Sequence, residues 1–185
     1  LMAQVGITPI SLQTGMHLIQ PGPRPHDGLL FDGQNMQEGQ TTLALINRMI
    51  GDINEGQYTS PQEELRQCWH EDMHWWGPTG IGATYTIERY IQQHQHPFRT
   101  QNEGRRFNGH ICRMAEGNYG GFFGWPNLSL KPTGGYLGMP PYHDYADMRV
   151  VDIYRRDGDK LAENWIFIDL LHFLKMQGQD ILAQI

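Results

Sequence analysis

The groups in this chain best suited to moving protons are one aspartate and a few histidines set among apolar residues. Asp152 stands in Ala146-Asp147-Met148-Arg149-Val150-Val151-Asp152-Ile153-Tyr154-Arg155, where alternation puts Met148, Val150, Asp152 and Tyr154 on one face of a strand. If that face is the inner one, a carboxyl group sits in apolar surroundings, which raise its pKa and suit it to general acid or base work near neutrality. The other reading turns Asp152 outward to pair with Arg155 or Arg149. Histidine moves protons in the same pH range. His74 and His110 are the stronger candidates because each lies between apolar neighbours in a predicted strand, and His94 and His143 are further ones near a cavity. His94, His96 and His172 also read as surface or helix-end residues.

His70-Glu71-Asp72-Met73-His74 matches H-E-x-x-H, which in a zinc hydrolase needs both imidazoles on one face of a helix and a third protein ligand. Gly80 stands where a metzincin has its third histidine, and Trp75-Trp76-Gly77-Pro78 favours a strand and a loop. No metal site is therefore expected, and zinc-dependent hydrolysis is the third-ranked function. G-x-S-x-G, P-loop, G-x-G-x-x-G and C-x-x-C motifs are absent from the sequence, so the remaining chemistry is cofactor-free acid/base work or ligand binding. Trp75, Trp76, Phe122, Phe123 and Trp125 are candidates to line an apolar cavity, with Trp76, Phe123 and Trp125 taken as the substrate-facing ones.

The elements that must position these groups are legible in part. Two Val/Ile/Tyr/Trp/Phe-rich runs flank Arg156-Asp157-Gly158-Asp159, which predicts a β-hairpin. Leu170, Leu171, Phe173, Leu174, Ile181 and Leu182 then recur at roughly helical spacing, with Gly178 as a break or cap. Upstream, Thr41 or Thr42 is expected to cap a helix running to about Asn54, and Ser60-Pro61-Gln62-Glu63 opens a second one towards Trp69. A strand is expected from His70, a helix over Thr84–Gln95 stopped by Pro97, and two strands over Phe107–Met114 and Tyr119–Leu130. Residues 1–40, rich in Pro, Gly and Gln, are expected to form an extended arm packed on the domain or on a second subunit, with the globular domain spanning 41–185. Helices first and strands later is an α+β order.

Composition narrows the partners. The 185 residues carry a formal charge of −6 and only paired basic residues, Arg105-Arg106 and Arg155-Arg156, so nucleic acid and membrane are not expected partners. The chain has no membrane-length apolar run and no signal-peptide pattern, and with only Cys68 and Cys112 the cytoplasm is the expected compartment. Only 18% of residues are charged against 22 glycines, 8 tyrosines and 5 tryptophans, which fits a compact sheet with an aromatic-lined interior.

Tyr136-Leu137-Gly138-Met139-Pro140-Pro141, Met148 to Arg155, Asp157-Gly158-Asp159-Lys160-Leu161, Glu163-Asn164-Trp165 and Phe167-Ile168-Asp169-Leu170-Leu171 together resemble the SnoaL-like polyketide cyclases of the nuclear-transport-factor-two-like superfamily. His70-Glu71-Asp72 with Trp76-Gly77-Pro78 is a weaker likeness to the same family. The resemblance implies a strongly curved antiparallel sheet wrapped around N-terminal helices, a cone-shaped α+β barrel with a C-terminal helix, and a homodimer. It also implies ring closure or related chemistry without cofactor on a small apolar carbonyl compound, driven by an aspartate just after E-x-W. Ile166 occupies that place, and a family histidine matches Asp152, so the carboxylate is expected on the neighbouring strand. Asp152 would transfer the proton, assisted by His110 and His74; Asn164 would donate to a substrate oxygen, with Tyr154 and Ile166 beside it. The second-ranked function is a non-catalytic binding or assembly protein with the same cone.

Overall fold

A computed structural model of the protein describes Gly33 and residues 35–184. The expected arm thus lies outside the described residues except at its end, where residues 36–40 are already helical. Helix α1 (Met36–Glu55) starts before Thr41 because Asn35 caps it, its Oδ1 accepting the Gln37 N–H at 2.8 Å. Thr42 instead sits buried inside the helix and donates to the Gly117 carbonyl at 2.7 Å. Helix α2 (Pro61–Arg66) opens as expected on Ser60, whose hydroxyl accepts the Glu63 N–H at 3.1 Å.

Strand β1 (Trp69–Trp76) takes up the H-E-x-x-H segment, so His70 and His74 have no helical register to share and the zinc hydrolase geometry does not form. A register shift falls between Trp69 and His74 along it. After β2 (Ala83–Tyr85), one helical rod runs as α3 (Ile87–Tyr90), a π-helical turn (Ile91–Gln95) and α4 (His96–Thr100). Pro97 does not stop it. Proline has no N–H and crowds the preceding turn, and the wider π turn before it accommodates both.

Strands β3 (Asn102–Phe107), β4 (Cys112–Glu116), β5 (Tyr119–Pro132), β6 (Ala146–Asp157) and β7 (Lys160–Ile168) complete the sheet. The expected strand over Phe107–Met114 is therefore broken, and His110 lies in the loop between β3 and β4. The order is β2-β1-β7-β6-β5-β3, with β4 also beside β5. The sheet is antiparallel as expected, with one parallel pair, β1 and β7. The sheet is curved but unclosed, an open cone rather than a sealed barrel.

The β6–β7 hairpin turns at Gly158, which takes φ 62°, and sets Asp152 opposite Ile166 and Tyr154 opposite Asn164. Helix α5 (Leu170–Met176), capped by Asp169, closes behind it, and Phe173 and Leu174 join Ile46, Trp75, Leu130 and Val150 in the core. Each such side chain stabilises the fold by about 1.5–3 kcal/mol through burial alone. Among the described residues, no helix is long and apolar enough to cross a membrane.

Candidate functional site

Between the inner sheet face, α1 and the α3–α4 rod lies a cavity of about 140 Å³. Strand β6 alternates along its whole middle stretch, turning Met148, Val150, Asp152 and Tyr154 inward and leaving Arg149, Val151 and Ile153 half-buried. Asp152 thus takes the inner orientation and is 6% exposed. Its Oδ1 accepts a short hydrogen bond from Asn164 Nδ2, and the Tyr154 hydroxyl also donates to the carboxyl. Burial pushes the Asp152 carboxyl up to about 7, against the pull of those two hydrogen bonds. Both partners are neutral, so no cation compensates for the lost water. The Tyr154 hydroxyl is pushed well above its usual range, first by burial and then by the neighbouring Asp152.

The wall facing the sheet comes from the helical rod. His94, in the π turn, stacks on Trp75 with ring centroids 4.3 Å apart, and Tyr90 meets Trp75 edge-on at 5.4 Å. Burial, helped by Arg99, lowers the His94 pKa to about 3, so the imidazole is neutral. Its Nδ1 is buried without a hydrogen-bond partner among the described residues. Burial is also the main reason the Tyr90 hydroxyl is pushed up, with Asp152 second. The sequence favoured a surface or helix-end place for His94; the signal available was Pro97, which forces the local change of helical pitch.

His110 reaches the cavity from its loop, stacked on Phe122 with centroids 3.7 Å apart. Its Nε2 contacts Asn127 Oδ1 at 2.9 Å and its Nδ1 accepts from Arg113 Nε at 2.9 Å. Burial and then Arg113 lower its pKa to about 4, with the Asn127 bond opposing. Both ring nitrogens are engaged within the protein, so His110 serves as wall rather than as a free proton carrier. Asn164 is engaged likewise, giving its amide hydrogens to Asp152 and to the Ile153 carbonyl at 3.0 Å. It orients the carboxyl and has no hydrogen left for a substrate oxygen.

The structure therefore brings together Asp152, Tyr154, Asn164, Ile166 and His110 around the cavity. His74 is not among the lining groups; it is buried beside Tyr85 and Trp76, with ring centroids 4.9 and 6.2 Å away. Trp76, Phe123 and Trp125 also miss the cavity, which their neighbours Trp75 and Phe122 line instead. Trp125 is 47% exposed beneath the Arg149 guanidinium, and His143 is exposed. Among the described residues no group of three or more His, Cys, Asp and Glu side chains is arranged to hold a metal ion.

No protein-family model matches the sequence, and no curated protein does. Solved structures do match. A candidate SnoaL-like polyketide cyclase from Jannaschia sp. CCS1 superposes with a TM-score of 0.61 at 16% identity, over 80% of this chain and 98% of that one. IdmH from Streptomyces antibioticus, a candidate polyketide cyclase, gives 0.56 at 15% identity over 74% and 98%. An NTF2-like protein from Burkholderia xenovorans LB400 gives 0.56 at 12% identity over 75% and 97%. At such identities the likeness is one of fold: this chain has the NTF2-like α+β cone that the SnoaL-like structures share.

Proposed function

We propose that the chain is a cofactor-free acid/base enzyme of the polyketide-cyclase type, acting on a small apolar carbonyl compound by cyclisation, isomerisation or hydration. The observation that carries the reading is Asp152, a carboxyl raised to about 7 in an apolar cavity with only neutral hydrogen-bond partners. A group with that pKa is present as both acid and base near neutrality, the condition under which proton transfer is most efficient. The Asp152 carboxylate takes a proton from the carbon next to the substrate carbonyl, leaving an enolate, and the protonated carboxyl returns it to carbon or oxygen. Tyr154 and Asn164 hold the carboxyl, Ile166 opposite it keeps water away, and the Tyr90 hydroxyl supplies a donor for the enolate oxygen. The fold neighbours named as candidate cyclases support the class of chemistry, and a homodimer is part of the proposal.

Exchange of hydrogen for deuterium beside the carbonyl of simple aryl ketones, followed by NMR in heavy water, tests this directly. Exchange should be catalysed by the wild-type chain, rise with pH through about 7, and fall by roughly 10²–10⁴-fold in Asp152→Asn. A carboxyl that titrates in the ordinary aspartate range, with exchange indifferent to Asp152→Asn, overturns it. Binding without turnover is the second reading, favoured by the engagement of His110 and Asn164 within the protein. It predicts ligand affinity unchanged by Asp152→Asn and no exchange in either chain.

A further inference from the structure

A second hollow of about 240 Å³ adjoins the first, and the two share Ile53, Phe98, Arg99 and Arg105. Asp152 borders only the first. The junction is unevenly charged. Arg99 Nη2 donates to Glu64 Oε1 at 2.7 Å, and buried Glu64 also accepts from Gln95 at 3.1 Å, so that pair is satisfied. Arg105 gives one hydrogen bond, Nη2 to the Ile53 carbonyl at 3.0 Å, and no carboxylate pairs with it among the described residues. Burial and then the nearby Arg99 lower its pKa, with Glu64 opposing, while the side chain keeps an exposed part, so a water-accessible cation stands beside another cation at the junction. Arg99 and Arg105 line both hollows, whereas Asp152 lines only the first. The guanidiniums therefore stand at the junction of the two hollows.

Resting on the proton-transfer reading above, we infer that the molecule handled at Asp152 is an apolar oxo acid. Its carboxylate sits on Arg105, with Arg99 alongside, and its hydrophobic body lies against Trp75 and Phe122. A guanidinium fork matches a planar carboxylate through parallel N–H donors. The apolar walls suit the body of the molecule, and Arg105, with no carboxylate partner among the described residues, suits its charged end.

Titration calorimetry of the full chain at neutral pH with naphthylacetate and with its methyl ester tests the assignment, since only the acid carries the charge. The acid should bind on the order of tenfold tighter than the ester, as expected for one charge-assisted hydrogen bond. Arg105→Ala and Arg105→Gln should erase the preference, while Asp152→Asn keeps it. The wild-type comparison stands whether or not a variant folds. Equal affinities, no binding of either compound, a preference that survives loss of Arg105, or one that disappears with Asp152→Asn each overturns the inference. Absence of deuterium exchange together with an intact acid preference would sink only the catalytic reading.

Discussion

Asn164 and Asp152, on adjacent strands β7 and β6, are joined by a short hydrogen bond whose donor is the amide, and the second amide hydrogen is fixed on the Ile153 carbonyl. The amide thereby sets the carboxyl's orientation and its acidity together. It favours the charged form, since its hydrogen bond lowers a pKa that burial raises. Asn164→Leu should move the Asp152 carboxyl further above 7 and shift the base limb of any pH–rate profile upward with it. Difference infrared spectra of the carboxyl stretch across a pH series check the direction; an unmoved or lowered midpoint contradicts the assignment. A stability loss of about 1–3 kcal/mol should accompany the shift, because a buried acceptor loses a partner.

Asp152 also makes stability depend on pH. Folding raises its carboxyl from the ordinary 3.8 to about 7, so between those values the folded chain keeps a proton that the unfolded chain has released. That stabilisation is present in full below about pH 4 and is lost as pH rises through about 7, a change of up to about 4 kcal/mol. His94 and His110, with lowered pKa values, act in the opposite sense: their contribution is present above about 6.5 and lost on acidification. Comparing wild type with Asp152→Asn cancels the histidines. The variant should melt at the higher temperature in mildly alkaline buffer, with the gap narrowing steadily as pH falls. Parallel melting profiles would place the Asp152 carboxyl in water-like surroundings.

His110 offers a sharper division between wall and catalyst. Its ring stacks on Phe122 while both nitrogens are engaged by Asn127 and Arg113. His110→Phe keeps the stacking and removes both nitrogens, so exchange activity should stay within a few-fold of wild type. A loss of a hundredfold or more with the melting temperature unchanged would restore His110 as a proton carrier.

These residues show what a sequence can and cannot reveal here. Strand β6 was readable because one inward polar residue interrupts a period-two apolar row, and the hairpin because Gly158 supplies a positive φ between two such rows. Trp75-Trp76 and Phe122-Phe123 defeated the same logic: two aromatic neighbours give no sign of which faces inward, and register is fixed by pairing across the sheet. His110 was named from the sequence but expected in a strand, whereas it lies in a loop, and His94 was read chiefly as a surface or helix-end residue because no local pattern shows the π turn that re-aims it. The parallel β1–β7 pairing is a long-range feature that no local pattern encodes. Nor do Arg99 and Arg105 announce themselves, since their shared place at the cavity junction arises only from how α4 and β3 meet.

The same substitution at two glycines should act in opposite directions and so measure how tightly the Trp75 wall is held. At Gly77 a Cβ would stand 2.1 Å from a Trp75 ring carbon and 2.6 Å from the Gly82 carbonyl oxygen. Trp75 is 1% exposed and stacked on His94, so the ring has nowhere to retreat. Gly77→Ala should therefore cost about 1–3 kcal/mol in urea unfolding, shift tryptophan emission and weaken naphthylacetate binding. At Gly51, inside α1, the nearest atom to a new Cβ is the end of Glu55 at 3.9 Å, and the backbone is not left-handed. There the methyl group removes freedom from the unfolded chain without a clash, and Gly51→Ala should stabilise by about 0.4–1 kcal/mol. If Gly77→Ala is as harmless as Gly51→Ala, the ring that walls the cavity is free to move, and a fixed apolar surface above Asp152 can no longer be assumed.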